Sequence, residues 1–183
     1  MSRRDNPWTT LTTRRVYANP WLELWEEHCL DPSGRPALYG RVSFRNKAVG
    51  IIPIDAGGHT WLVGQYRYCT HQHSWEIPMG GAPHRLPVLE SAQRELKEET
   101  GLSARRWEQI LFAYTSNSVT DEEGYVFTAE DLTEGDPQFD STEKIDIRRL
   151  PLGEAVRMAM SGEITDALSV AGLLKLAALR GVR

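Results

Sequence analysis

Three glutamates, Glu95, Glu98 and Glu99, lie close together in a stretch with helical spacing. At 100° per residue they share one sector of the helix. Another stripe of the same helix is suited to packing on a core and contains Leu89, Ala92, Leu96 and Thr100. Like charges at these spacings repel by about 0.2–0.5 kcal/mol per pair, so the cluster needs a counter-charge. Because carboxylate oxygens favour hard divalent cations, the spacing predicts a site for Mg²⁺ or Mn²⁺.

Glycines mark both ends of this stretch. Gly101 follows the last helical position, where glycine adopts the left-handed conformation at little cost. Gly80 stands where a strand is expected to turn sharply and bring a backbone carbonyl near the cation. An isolated Glu-x-x-Glu-Glu is better explained as a solvated acidic helix face, so the metal hypothesis depends on the longer pattern.

The longer pattern resembles the Nudix box, G-x5-E-x7-R-E-U-x-E-E-x-G-U, where U is aliphatic. The positions in register are Gly80, Arg94, Glu95, Leu96, Glu98, Glu99, Gly101 and Leu102. The resemblance implies an α/β/α sandwich built on a mixed sheet. It also implies a hydrolase that splits a diphosphate with water and divalent metal ions. The implied metal ligands are Glu95, Glu98, Glu99 and the carbonyl of Met79, which precedes Gly80.

One box position departs from the pattern. Leu86 stands where the box has its first glutamate, which in the family is thought to tie down the arginine equivalent to Arg94. Glu90 precedes Arg94 by four residues on the helix and is placed to form a substitute ion pair. The departure therefore concerns the loop geometry more than metal binding.

Other residues are similar to the ADP-ribose pyrophosphatase branch of the family. Arg67 matches an arginine that faces the substrate's diphosphate, although an arginine at a strand end is often only a surface charge. Glu76 matches the Glu-x-Pro-x-Gly entry to the box, where the glutamate lines the site. The loop that usually begins Ser-Pro-Gly in that branch reads Ser116-Asn117-Ser118 here, with Ser118 as a candidate substrate contact. This difference is similar to a subgroup that acts on nucleoside diphosphate sugars more broadly.

The general base is also assigned by resemblance. Glu143 matches a late glutamate that in the branch swings over the metals as a ligand or a base, and an ordinary loop carboxylate is the alternative. Proton removal from water is therefore expected from Glu143 or, as the second choice, from Glu98.

Residues 1–46 predict a three-stranded antiparallel sheet, with strands at residues 10–17, 21–30 and 37–44. Such a small sheet is marginal alone, and its tryptophans Trp8, Trp21 and Trp25 must be covered. They pack either on the chain's own catalytic domain or across a two-fold axis on a second copy. The resemblance favours the second arrangement, a homodimer in which Trp21 or Trp25 offers an aromatic surface to the base.

Residues 47–183 form the predicted catalytic domain. An apolar run at residues 48–54 and a returning strand at residues 60–68 flank a turn and predict a hairpin. A short strand at residues 74–79 leads into the box, and residues 131–142 form a polar loop. Further strands are expected at residues 107–114, 125–129 and 144–147, followed by helices at 152–161 and, capped by Thr165, up to 180. The stretch from Gly162 to Ser169 also resembles the end of the same family branch.

Composition limits the function further. The 183 residues suit one domain with a small appendage, and a net charge of −4 without a basic cluster makes nucleic acid an unexpected partner. No apolar run approaches bilayer length, and the polar N-terminus lacks a signal-peptide core, so a cytoplasmic location is expected. Cys29 and Cys69 are expected to be free thiols, and the spacing of the histidines does not fit zinc.

The sequence thus predicts a Nudix hydrolase that acts on ADP-ribose, GDP-mannose or a similar nucleotide sugar. The alternatives are an enzyme for another nucleoside diphosphate derivative and a nucleotide-binding sensor that keeps the fold without turnover. Nudix-type regulators usually carry an added DNA-binding domain, for which no further sequence follows Arg183. The intact glutamates Glu95, Glu98 and Glu99 also favour chemistry over sensing.

Overall fold

The computed structural model describes residues 5–136 and 145–182. The chain divides into two compact units, Met1–Asn46 with Tyr114–Glu122 and Lys47–Ala113 with Glu123–Arg183. Within the described ranges, no helix combines the length and the apolar character that crossing a membrane requires.

A three-stranded antiparallel sheet forms most of the first unit. Its strands β1 (Thr9–Ala18), β2 (Leu22–Leu30) and β3 (Pro36–Phe44) lie in the order β1-β2-β3. The side chain of Asn19 closes the first connection by accepting hydrogen bonds from the N–H groups of Trp21 and Leu22, at 2.9 and 2.8 Å. The predicted N-terminal antiparallel sheet is therefore confirmed.

The first unit also contains a segment from far along the chain, Tyr114–Glu122. The N–H of Val42 donates to the carbonyl of Val119 at 2.9 Å, and the hydroxyl of Tyr39 donates to the carbonyl of Ser118 at 2.6 Å. These contacts join the segment to β3, an association that the sequence analysis did not propose.

The second unit combines strands and helices. Its strands are β4 (Asn46–Pro53), β5 (His59–Arg67), β6 (Gln72–Glu76), β7 (Met79–Pro83), β8 (Ser103–Tyr114), β9 (Glu123–Thr133) and β10 (Asp146–Pro151). Its helices are α1 (Val88–Thr100), α2 (Leu152–Ser161) and α3 (Ala167–Arg180). One sheet has the order β7-β4-β9-β8, with β4 and β9 parallel, and the other has the order β10-β5-β6. The predicted α/β fold with a mixed sheet is confirmed.

β4 is buried on both of its faces, which explains its continuous apolar sequence. Val49 and Ile51 belong to the apolar cluster that includes Ala92 and Leu96 of α1. Ile52 belongs to the other cluster, which contains residues of α2 and α3. The strand therefore lies between helices on both sides, as the predicted α/β/α layering requires.

The predicted hairpin between β4 and β5 is wrong. The turn itself forms, because Asp55 and His59 bond through their backbones at 3.0 Å. The two strands, however, lie in different sheets, since β4 pairs with β9 while β5 pairs with β10 and β6. The turn therefore does not pair its own flanking strands: β5 pairs with β6, which follows it directly, and with the distant β10, while β4 pairs with the distant β9.

The carboxylate of Asp55 holds this turn. It accepts hydrogen bonds from the N–H groups of Gly57 and His59 at 2.8 and 2.9 Å, and from Nε of Arg149 at 3.0 Å. Burial raises the pKa of Asp55, but the hydrogen bonds and the charge of Arg149 outweigh it and lower the pKa to about 2. The ionised aspartate thus ties the β4–β5 turn to β10.

Two helix details differ from the predictions. Leu89 was assigned to the packing stripe of α1, but it is 37% exposed, and Val88 packs against the apolar cluster instead. The N-cap of α3 is Asp166, whose side chain accepts from the N–H of Ser169, and not Thr165. Gly101 ends α1 with φ of 75°, as expected.

Candidate functional site

The connection between β6 and β7 carries the residues expected beside the cation. A single strand was predicted for residues 74–79, but β6 ends at Glu76, β7 begins at Met79, and the two strands lie in different sheets. At the crossing, the N–H of Met79 donates to Oε2 of Glu99 at 2.9 Å. Since Glu99 is only 4% exposed, this bond fixes Met79 against α1.

The other two glutamates of α1 share one cation, the guanidinium of Arg94. Its Nη2 donates to Oε1 of Glu95 at 2.5 Å, and its Nη1 donates to Oε2 of Glu98 at 2.6 Å. A third bond joins Nη2 to the carbonyl of Gly81 at 3.1 Å. The ion pairs found for Arg94 in the described chain run to Glu95 and Glu98, so the substitute pair expected with Glu90 is not the one that forms.

The charges of this cluster support one another. Burial lowers the pKa of Arg94, but the charges of Glu95 and Glu98 and their hydrogen bonds outweigh it, and the pKa lies above its ordinary value. The guanidinium shows that both carboxylates can face a single cation. The side chain of Glu98 is 38% exposed and is open to water.

Gly80 makes room for the Glu95 carboxylate. It lies inside β7 and not at a turn, and a Cβ placed on it would collide with the carboxyl carbon and both carboxyl oxygens of Glu95. The sequence analysis expected a sharp turn at this glycine. The structure shows that the requirement is space between β7 and α1.

The donor set fits a hard divalent cation. Over residues 5–136 and 145–182, no three His, Cys, Asp or Glu side chains converge at metal-binding geometry. The oxygens of Glu95 and Glu98 nevertheless already surround one positive group, and Met79 is fixed by Glu99 beside them. Mg²⁺ and Mn²⁺ bind such carboxylate and carbonyl oxygens.

A second polar group lies where β5 and β6 end. Arg67 and Glu76 form a bidentate pair, in which Nε donates to Oε1 at 2.8 Å and Nη2 donates to Oε2. Glu76 is buried, whereas Arg67 is partly exposed. The hydrogen bond to Glu76 raises the pKa of Arg67, and the charges of Asp166 and Glu99 raise it further. Arg67 therefore stays charged within electrostatic reach of α1.

A cavity of about 340 Å³ opens beside this pair, and its volume suits part of a nucleotide-sized ligand. The lining residues include Arg67, Gln72, His73, Glu76, Thr165 and Asp166. The sequence analysis did not assign His73, Thr165 or Asp166 to a site. The stretch from Gly162 to Ser169 was the available signal, because it resembles the end of the same family branch.

A larger cavity of about 650 Å³ contains none of the predicted site residues. Its lining includes Asp55, Arg106, Glu130 and Arg180. Glu130 forms ion pairs with both Arg106 and Arg180, so the charges of this cavity largely satisfy one another.

The two candidate tryptophans belong to the first unit and differ in their surroundings. Trp21 is 69% exposed. Trp25 donates from Nε1 to Glu23 at 3.2 Å, and the guanidinium carbons of Arg15 and Arg41 lie 5.9 and 5.7 Å from its ring centroid. The ring of Trp25 already packs against cations, so Trp21 has the more accessible aromatic surface.

Ser118 and Glu143 were also predicted as site residues. Ser118 is exposed in the first unit, and its carbonyl accepts the hydrogen bond from Tyr39. Glu143, the candidate base, lies outside the described residues, as does half of the loop predicted at 131–142. The first three residues of that predicted loop belong to β9 instead. Within the second unit, the structure brings together Arg67, Glu76, Met79, Gly80, Arg94, Glu95, Glu98 and Glu99.

Comparison with protein-family models gives two matches. The NUDIX domain matches residues 44–168, and the Nucleoside diphosphate sugar hydrolase N-terminal domain matches residues 8–42.

Two curated relatives and one solved structure are similar to the chain. It is 34% identical over 134 residues to an ADP-ribose pyrophosphatase of Mycobacterium tuberculosis, an alignment that covers 69% of this chain but only 63% of that relative. It is 28% identical over 160 residues to an ADP-ribose pyrophosphatase of Bacillus subtilis, with 86% of each chain covered. The crystal structure of an ADP compounds hydrolase superposes with a TM-score of 0.85, covering 97% of this chain and 96% of that one. At 22% identity, this last likeness supports the fold alone.

Replacing Gly80 with alanine tests the geometry of the cluster. Because the added methyl would displace the Glu95 carboxylate, we expect Gly80→Ala to weaken Mn²⁺ binding by about 10–100-fold, the range found when groups that orient metal ligands are changed. Titration of Mn²⁺ followed by electron paramagnetic resonance measures this. Gly40→Ala is the matched control, since a Cβ there meets nothing within 4 Å. Equal Mn²⁺ affinity in the two variants would contradict the assignment.

Proposed function

Because the chain belongs to the NUDIX domain family, we propose that it hydrolyses the diphosphate bond of a nucleoside diphosphate sugar. ADP-ribose and GDP-mannose represent the substrate class, and the products are a nucleoside monophosphate and a sugar phosphate. The observation that carries the proposal is the cluster in which Glu95 and Glu98 share one cationic group while Glu99 fixes the Met79 backbone. Mg²⁺ is the proposed cofactor, with Mn²⁺ as a substitute.

The residues of the cluster would divide the work. Glu95, Glu98, Glu99 and the carbonyl of Met79 would hold the divalent cation. When bound, such a cation neutralises the diphosphate and lowers the pKa of water. Arg94, which bridges Glu95 and Glu98, keeps their carboxylates side by side. The proton of the attacking water would pass to Glu143 or, as the alternative, to the partly exposed Glu98.

Arg67 is proposed to contact the diphosphate. Glu76 occupies Nε and Nη2 of this guanidinium, which leaves Nη1 and its two N–H groups for a phosphate oxygen. Glu76 then acts by orienting Arg67, since a buried carboxylate that is already paired is a poor partner for an anionic substrate.

The substrate class rests on two kinds of support. The family model matched by residues 8–42 is named for nucleoside diphosphate sugar hydrolases, and two relatives are ADP-ribose pyrophosphatases. Ser116-Asn117-Ser118 replaces the usual Ser-Pro-Gly, so we propose that several sugars are accepted.

A nucleic acid partner is not part of the proposal. Free thiols at Cys29 and Cys69 support a cytoplasmic location, which cell fractionation would check.

Exchange of Glu99 for glutamine tests both the enzyme and the sensor hypothesis. The amide oxygen of glutamine can still accept from Met79, so we expect Glu99→Gln to keep the fold and to lose about 10²–10⁴-fold in turnover. The assay uses ADP-ribose, GDP-mannose, UDP-glucose, dinucleotides and nucleoside triphosphates with saturating Mg²⁺. Glu90→Gln, an exposed change on the same helix, is the control and should leave turnover unchanged.

Two results would contradict the proposal. If Glu99→Gln kept more than about a tenth of the parent's turnover, Glu99 would not be a required metal ligand. Binding of these nucleotides by the parent without any hydrolysis would favour the sensor.

We also propose that the protein is a homodimer in which the N-terminal sheet covers a second copy and lends Trp21 or Trp25 to its site. All residues of the edge strand β1 are exposed, and large apolar side chains, among them Leu11, Val16 and Leu38, lie open on this sheet. Light scattering at micromolar concentration should report a dimer, and Leu38→Glu should shift it towards the monomer. Leu179→Glu, the same change at an equally exposed leucine of α3 outside this sheet, should not. A monomeric parent protein would refute the proposal.

A further inference from the structure

The crossing from β6 to β7 is fixed at four consecutive residues, Glu76 to Met79, by four different elements. The partners in chain order are Arg67 of β5, Ser169 of α3, Ile51 of β4 and Glu99 of α1. Arg67 and Glu99 are already assigned to the site, and Ile51 belongs to the central strand β4. The fourth, from Ser169, has no role in the function described so far.

Ser169 meets the crossing at its most buried point. Its Oγ accepts a hydrogen bond from the N–H of Ile77 at 3.1 Å, and both residues are fully buried. The N–H of Ser169 donates to Oδ1 of Asp166 at 2.7 Å, so the N-cap of α3 sets the position of the hydroxyl. The first turn of α3 therefore determines where the backbone of Ile77 lies.

The packing around Ile77 leaves little freedom for another arrangement. A Cβ on Gly50 of β4 would lie 2.7 Å from Cδ1 of Ile77 and 3.6 Å from Cδ2 of Leu168. Ile77 is thus pressed between β4 and α3. If the hydroxyl of Ser169 were removed, the N–H of Ile77 would be buried without a partner, and the segment would have to move to satisfy it.

We propose that Ser169 is a positioning residue for the site. Through Ile77 it sets the Glu76–Arg67 pair on one side and the carbonyl of Met79 on the other. The consequence for substrate and metal rests on the proposed function, whereas the placement of the segment does not. A purely structural hydroxyl would affect stability alone, and a positioning hydroxyl also changes cation binding.

The test compares Ser169→Ala with Leu176→Val in the full chain. Leu176 is a fully buried residue of the same helix, two turns further on in the same apolar cluster, and its change lowers stability without removing a hydrogen bond to residues 76–79. Three measurements are made on each variant: amide hydrogen exchange of peptides covering residues 72–83, Mn²⁺ affinity by electron paramagnetic resonance, and the thermal midpoint. Ser169→Cys, which keeps a weaker acceptor, serves if the alanine variant does not fold.

We expect faster exchange at residues 76–80 and about tenfold weaker Mn²⁺ binding in Ser169→Ala, the lower end of what orienting groups contribute. Ser169→Cys should show a smaller change of the same sign, and Leu176→Val should show only a lower thermal midpoint. The same exchange and Mn²⁺ affinity in Ser169→Ala and Leu176→Val would overturn the inference. If the parent cleaves no nucleotide sugar, the proposed function fails, but the exchange comparison still decides the role of Ser169.

Discussion

Compensation of like charges on one helix is the constraint on which the site depends. Glu95 lies three and four residues before Glu98 and Glu99 on α1, and each like-charge pair at these spacings costs a few tenths of a kcal/mol unless positive groups lie beside it. Two different groups compensate these carboxylates. Arg94 bridges Glu95 and Glu98, while Glu99 is buried and accepts the N–H of Met79. The cluster thus requires both a cation and the crossing segment, and this double requirement links the chemistry to the fold.

The crossing segment can meet α1 only because the chain leaves one sheet for another. β6 pairs with β5, and β7 lies beside β4, so the residues between them have no regular strand partner. Their backbone groups are satisfied instead by Ser169 and Ile51, from α3 and β4. A buried backbone group without a hydrogen-bond partner is costly. Here the bonded groups belong to Ile77 and Pro78, which lie directly between the site residues Glu76 and Met79. The same crossing brings the Arg67–Glu76 pair within electrostatic reach of Glu99.

Local signals in the sequence were enough to predict the helix α1, its end at Gly101, the N-terminal sheet and the glutamate cluster. These features depend on spacing, and spacing can be read directly. The hairpin at β4 and β5 was wrong because a turn between two strands shows that the chain reverses but not which strands pair. Leu89 was misplaced because a helical wheel gives a face but not the point where the core ends.

Side-chain partners were harder to predict than elements. Glu90 and Glu98 both lie four residues from Arg94, and the sequence alone does not decide between them. The cap of α3 was displaced by one residue, from Thr165 to Asp166, because both side chains can accept from the helix backbone. Ser169 ends the stretch that resembles the family branch, but its hydrogen bond could not be predicted, since its partner Ile77 is 92 residues away in the chain.

The position of water attack tests the account most directly. If the cation on Glu95, Glu98 and Glu99 polarises the diphosphate, hydrolysis in ¹⁸O-labelled water must place the label on a phosphate group. Mass analysis should then find one labelled oxygen in the nucleoside monophosphate or in the sugar phosphate. Label in a free sugar would show attack at a sugar carbon, and a nucleoside diphosphate among the products would show that the bond within the diphosphate was not cleaved. Either result would contradict this account.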